Sequence, residues 1–168
     1  DGDDGSEGHC FETSMSGCIF QGLIIRNYTT QAVYGAGAVG IGRNFRMVDC
    51  TVYSYGGPQS VAGGSGTGRI TEFNRCKLIA DSTMAISVAA NQTVLITNCL
   101  LATNDIDAVI IDSSVSYTNV TASHCTFIGR GNASESGRRY HLVENVAQVD
   151  NCIVYGTLGH GIQAAAHS

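Results

Sequence analysis

His160 stands between two glycines, Gly159-His160-Gly161, eight residues past Cys152, and Asp107 stands eight past Cys99. If those cysteines hold equivalent places in a repeating frame, imidazole and carboxylate share one angular position, with Asp105 and Asp112 close by. Such a grouping could do acid–base work on a glycosidic bond, for which an inverting enzyme needs two carboxyls about 6.5–9.5 Å apart. The set is incomplete. No carboxylate is paired with Asp107, and Ala133 fills the matching place in the repeat between. The expectation is therefore no catalytic residue, His160 and Asp107 being weak candidates and His160 reading as a turn histidine. The seven cysteines are the other reactive set. Neither C-x-x-C nor H-x-x-x-H spacing occurs, so no metal and no cofactor are expected. Asp1, Asp3 and Asp4 match a calcium loop only loosely, with Gly5 where a third ligand should stand.

What positions these residues is a repeat. Around Cys18, Cys50, Cys76, Cys99, Cys125 and Cys152 the sequence reads apolar-x-x-Cys-x-apolar-x-small. The apolar residues three before are Met15, Met47, Phe73, Ile96, Ala122 and Val149, and those two after are Phe20, Val52, Leu78, Leu101, Phe127 and Val154. Successive cysteines are 32, 26, 23, 26 and 27 residues apart, the kind of period that marks a stacked repeat. Cys and the residues two and four later have the alternation of a strand. The two-residue gap before each cysteine predicts a corner. Gly17, Asp49, Asn98, His124 and Asn151 there suit a positive φ, and Arg75 fits poorly. Turn-rich stretches follow, then an apolar residue at Val61, Ile86, Val109 and Ile162. The spacing of 32 places slack at Gly35-Ala36-Gly37. Polar, glycine-rich Gly129–Arg139 predicts a loop replacing one strand, leaving open whether Leu142-Val143 closes that coil or opens the last.

This pattern resembles the right-handed parallel β-helix of pectin-lyase-like enzymes and phage tailspikes. The resemblance covers residues 12–164 and rests on the repeat rather than on a catalytic signature. It implies an all-β, single-stranded right-handed parallel β-helix of about six coils, between an acidic segment at 1–11 and a tail at 165–168. Gly159-His160-Gly161 matches the Gly-His-Gly of polygalacturonase-like members. Their Asn-Thr-Asp, Asp-Asp and Arg-Ile-Lys motifs have no counterpart here.

Stacked in register, the six cysteines form a buried ladder of free thiols, since parallel side chains do not point at one another for disulfide bonding. The net charge of −5, with scattered arginines and one lysine, offers no basic stripe, so no nucleic-acid partner is expected. No stretch approaches the ~20 apolar residues of a membrane-spanning helix, and no membrane partner is expected. The sequons at Asn27, Asn91, Asn119 and Asn132 read as ordinary turn residues.

The outward positions after each cysteine are Ile19/Gln21, Thr51/Tyr53, Lys77/Ile79, Leu100/Ala102, Thr126/Ile128 and Ile153/Tyr155. Large apolar groups in every coil make an expected oligomer interface of Ile19, Tyr53, Ile79, Leu100, Ile128, Ile153 and Tyr155, unless the loop at 56–68 covers it. With no Trp for a sugar groove and too few outward threonines for an ice-binding face, the leading expectation is a non-enzymatic component of a larger assembly, which the resemblance implies to be a virion. By resemblance this is a capsid decoration protein or tailspike-like shaft, homotrimeric and bound to other capsid or tail proteins. It would be assembled in the host cytoplasm. The alternative is a carbohydrate-active β-helix or a fragment of one, secreted rather than packaged.

Overall fold

The computed structural model describes residues 9–13, 17–26, 31–35, 42–54, 59–63, 69–80, 84–88, 92–103, 109–112, 119–129, 143–144, 146–155 and 162–163. Along them the chain visits three sheets in turn. The first circuit is β1 (His9–Thr13), β2 (Cys18–Gln21) and β3 (Ile24–Ile25), the second β4 (Gln31–Gly35), β5 (Gly42–Val48) and β6 (Thr51–Ser54). Then come β7 (Gln59–Gly63), β8 (Arg69–Asn74) and β9 (Lys77–Ala80), followed by β10 (Met84–Val88), β11 (Gln92–Thr97) and β12 (Leu100–Thr103). The fifth is β13 (Val109–Asp112), β14 (Asn119–Ser123) and β15 (Thr126–Gly129), and the sixth β16 (Val143–Glu144), β17 (Val146–Asp150) and β18 (Ile153–Tyr155). Last is β19 (Ile162–Gln163).

Each strand pairs with the strands three before and three after it. Sheet A is β1-β4-β7-β10-β13-β16-β19, sheet B is β2-β5-β8-β11-β14-β17, and sheet C is β3-β6-β9-β12-β15-β18. The pairings are parallel throughout, and no helix occurs among the described residues. The protein is all-β with parallel strands, an arrangement consistent with a parallel β-helix-like solenoid. The alternation read from the sequence is visible in β15, where Phe127 and Gly129 are buried and Thr126 and Ile128 half-buried.

The register stacks like on like inside. Phe20, Met47, Phe73, Ile96, Ala122 and Val149 form one column, and Ile25, Val52, Leu78, Leu101, Phe127 and Val154 another. Rings of Phe11, Phe20, Phe45 and Phe73 meet pairwise at centroid distances of 5.4, 6.1 and 6.0 Å. Contacts of this kind add about 0.5–1.5 kcal/mol each beyond area burial. One-residue differences in coil length are absorbed in sheet B by bulges, between Arg43 and Phe45 and between Val120 and the Thr121 pairing.

The first coil departs from the expected register. Cys18 pairs with Phe45 in sheet B, while Ile24 and Ile25 pair with Thr51 and Val52. Leu23, not Cys18, therefore holds the place of Cys50, and Gly22 (φ 66°) is the corner equivalent to Asp49 (φ 55°). Counted from Leu23, the first spacing is 27 residues, in line with the rest. The expected slack at Gly35-Ala36-Gly37 is not required. Two smaller expectations also change. Sheet A does not lose its strand after Gly129, because β16 continues it and precedes β17, so Val143 opens the last coil. The partner of Ile86 is Ile111 rather than Val109, which faces Met84. Strand β1 begins at His9, inside the stretch assigned to the acidic segment.

The corners between sheets B and C are left-handed at every coil: Asp49, Arg75, Asn98, His124 and Asn151 have φ of 55, 53, 54, 54 and 50°. Arg75 is no exception. Its guanidinium grips the Asp49 carboxylate of the coil below through Nε and Nη2 at 2.6 and 2.8 Å. A left-handed non-glycine residue costs about 1–2 kcal/mol, so each corner needs compensation. Part comes from the ladder bonds that continue through it, such as Asn98 N–H to Ser123 C=O at 3.1 Å and Leu100 N–H to Cys76 C=O at 2.9 Å.

Candidate interaction face and the thiol column

Between those two ladder bonds lies one amide that the corner turns out of the ladder, that of the residue in the cysteine column. A buried amide needs an acceptor, and here it is the sulfur one coil on. Cys76 N–H donates to Cys99 Sγ at 3.3 Å, and Cys125 N–H to Cys152 Sγ at 3.4 Å. Each thiol in turn donates to the carbonyl two residues back, Cys50 to Val48 at 3.3 Å, Cys99 to Thr97 at 3.2 Å and Cys125 to Ser123 at 3.2 Å. Cysteine is thus small, mostly apolar, and both donor and acceptor. Leu23 serves as well at the start of the column, because no coil beneath it among the described residues has an amide to satisfy.

Cys18, Cys50, Cys76, Cys99, Cys125 and Cys152 are free thiols, Cys50, Cys76, Cys99 and Cys125 buried, Cys18 and Cys152 half-buried. Thiol contacts from Cys125 and Cys76, then burial, push the Cys99 thiol far up, and burial raises Cys50 and Cys152. Those three are neutral at pH 7 and poor nucleophiles. Among the described residues no group of three His, Cys, Asp or Glu side chains is placed to hold a metal. His160, Asp107 and Asp105 lie outside the described residues, as do Asp1–Gly8. Asp112 lies in β13, opposite Ser87.

The outer face of sheet C is the feature with interaction chemistry. Its first column is Ile24, Thr51, Lys77, Leu100, Thr126 and Ile153. Its second is Tyr53, Ile79, Ala102, Ile128 and Tyr155, with Arg26 one place past β3 in the line of Tyr53. Ile24, Ile153 and Tyr155, in the end coils, are 72, 64 and 70 % exposed. Tyr53, Ile79, Leu100 and Ile128 are half-buried, each flanked by an in-register neighbour about 4.8 Å above and below.

Of the expected interface residues, Tyr53, Ile79, Leu100, Ile128, Ile153 and Tyr155 share this face, and Ile19 does not. It pairs with Arg46 and lies on the outer side of sheet B, 63 % exposed, in line with the Arg46–Glu72 ion pair at 3.1 Å. The face gains Ile24 and Arg26 instead. Pattern reading missed both because it anchored the first coil on a cysteine; the signal was the 27-residue step from Leu23 to Cys50. The stretch expected to cover the face contains β7, a strand of sheet A. No protein family, curated protein or solved structure matches this chain.

Proposed function

We propose that this protein is a non-enzymatic structural β-helix whose copies associate through the outer face of sheet C. The observation that supports this most is the run of Tyr53, Ile79, Ala102, Ile128 and Tyr155, one apolar residue in each of five successive coils in continuous register. Alternate outward residues of a solvated sheet are ordinarily polar, and a contiguous apolar strip favours burial against a partner. The finer reading of the fold is a right-handed single-stranded parallel β-helix, since parallel strands joined by crossovers in one sheet are right-handed almost without exception.

The setting we propose is a virion, as a capsid decoration protein or tailspike-like shaft, alongside other capsid or tail proteins. This rests on the resemblance of the repeat to tailspike β-helices, for which a threefold assembly is the simplest expectation. The test replaces Leu100 and Ile128 by Lys and compares light-scattering masses. The expected result is a wild-type assembly that the double variant cannot form. A variant that associates as the wild type does rules out this face.

A further inference from the structure

The corrected register gives the face of sheet C a symmetry that the sequence frame concealed. Its first column reads Ile24, Thr51, Lys77, Leu100, Thr126, Ile153 from one end. From the other end the order of types is nearly the same, Ile and Thr outermost with Leu and Lys exchanged at the centre. A surface that meets its own copy across a twofold axis must be self-complementary in this sense, residue i facing j and j facing i. We propose that two copies of the chain pair through this face turned end for end, about a twofold axis lying along the strands, so that the first coil of one meets the last coil of the other. The inference rests on the reading of this face as a subunit contact and gives it a twofold, end-for-end partner in place of the threefold arrangement.

Charge placement favours this over parallel alignment. In a parallel twofold or threefold assembly, equivalent residues lie at the same height, bringing Lys77 to the level of Lys77. Like charges so placed in an apolar strip are destabilising. End for end, Lys77 comes opposite Leu100, where its long apolar stem can lie on the leucine with its ammonium at the rim. Tyr155, 70 % exposed, comes over the first coil of the other copy. Ile24 and Ile153, the other strongly exposed members, cover each other. Overlap of all six coils buries all three, which a pairing shifted by one coil does not.

The size of the contact sets its strength. Six strands about 4.8 Å apart and about four residues long at about 3.3 Å each make a face of roughly 380 Å². A stable interface buries about 800 Å² per partner, so the pairing should be concentration-dependent.

The experiment uses Ile24→Glu, Ile153→Lys and the double variant in the full chain, followed by sedimentation velocity across a dilution series, with thermal unfolding as the folding check. Each single substitution sets a lone charge against isoleucine and should raise the dissociation constant about tenfold or more. In the double variant each introduced carboxylate meets an introduced ammonium of the other copy, and association should return to within about threefold of wild type. Singles that weaken association and a double that stays as weak would overturn the end-for-end arrangement while leaving the face as a contact. If wild type is monomeric, or neither single weakens it, the face is no contact, and this inference falls with the reading it rests on.

Discussion

Substitution of Cys99 separates two accounts of the thiol column. If the thiol were only a small apolar filler, valine should replace it well and serine badly. The structure orders them the other way. Cys99 is 3 % exposed, accepts Cys76 N–H at 3.3 Å and donates to Thr97 C=O at 3.2 Å. Cys99→Val removes the acceptor, leaving a buried amide orphaned at about 1–3 kcal/mol, the lower half applying because sulfur is a weak acceptor. The branched methyl adds roughly 1 kcal/mol of overpacking against Leu101 and its neighbours. Cys99→Ser keeps both functions with a shorter reach. It trades an apolar sulfur for a hydroxyl whose partners are in place, so the loss should be about 1 kcal/mol rather than the up to 3 kcal/mol of an unpartnered hydroxyl. Valine should therefore fall below serine by about 1 kcal/mol in urea unfolding under reducing conditions, and amide exchange at Cys76 should speed up in the valine variant only. A valine variant as stable as wild type, with serine the worse of the two, would refute the acceptor role.

Three further outcomes are expected. His124→Gly at an exposed corner with φ 54° should raise stability by roughly 0.5 kcal/mol, the left-handed penalty less glycine's extra backbone entropy, read from thermal midpoints. Hydrogen bonding to the Arg75 guanidinium holds the Asp49 carboxyl below its ordinary 3.8. Its folded pKa thus lies under its unfolded one, so the pairing stabilises above the unfolded value and is lost as pH falls through the folded one. Asp49→Asn should flatten the acid limb of a stability–pH curve below about pH 4, and salt should reduce the difference. On polygalacturonate, pectin and bacterial polysaccharides the purified protein should show no turnover; activity that disappears in both His160→Ala and Asp107→Ala would restore the glycosidase reading.

The coil was legible because its constraint is local and repeated. A left-handed corner demands Gly, Asn, Asp or His, and the next residue demands a small buried group, so both recur at each turn. Arg75 looked out of place because its compensation, the Asp49 carboxylate, lies 26 residues away and only the register brings them together. The first coil misled for a similar reason. Gly17 (φ 83°) precedes Cys18 just as the true corners precede their cysteines, but it leads into sheet B rather than out of it. Once Leu23 is seen to need no sulfur, Cys18 loses its claim to the column. The outer face of sheet C was legible from Tyr53 to Tyr155, where the frame held. It was lost at Ile24 and Arg26, where a five-residue slip moved Ile19 onto the wrong sheet. The exchange of cysteine amides with the next coil's sulfur was not legible at all, since cysteine's packing role alone accounts for its recurrence.

Self-association is tested by the solution mass of the unmodified protein, measured by light scattering across a dilution series through the micromolar range. The mass should rise above the 17.6 kDa of one chain as concentration increases and fall back on dilution. A mass of one chain throughout, with Ile24, Ile153 and Tyr155 still open to solvent, would contradict it.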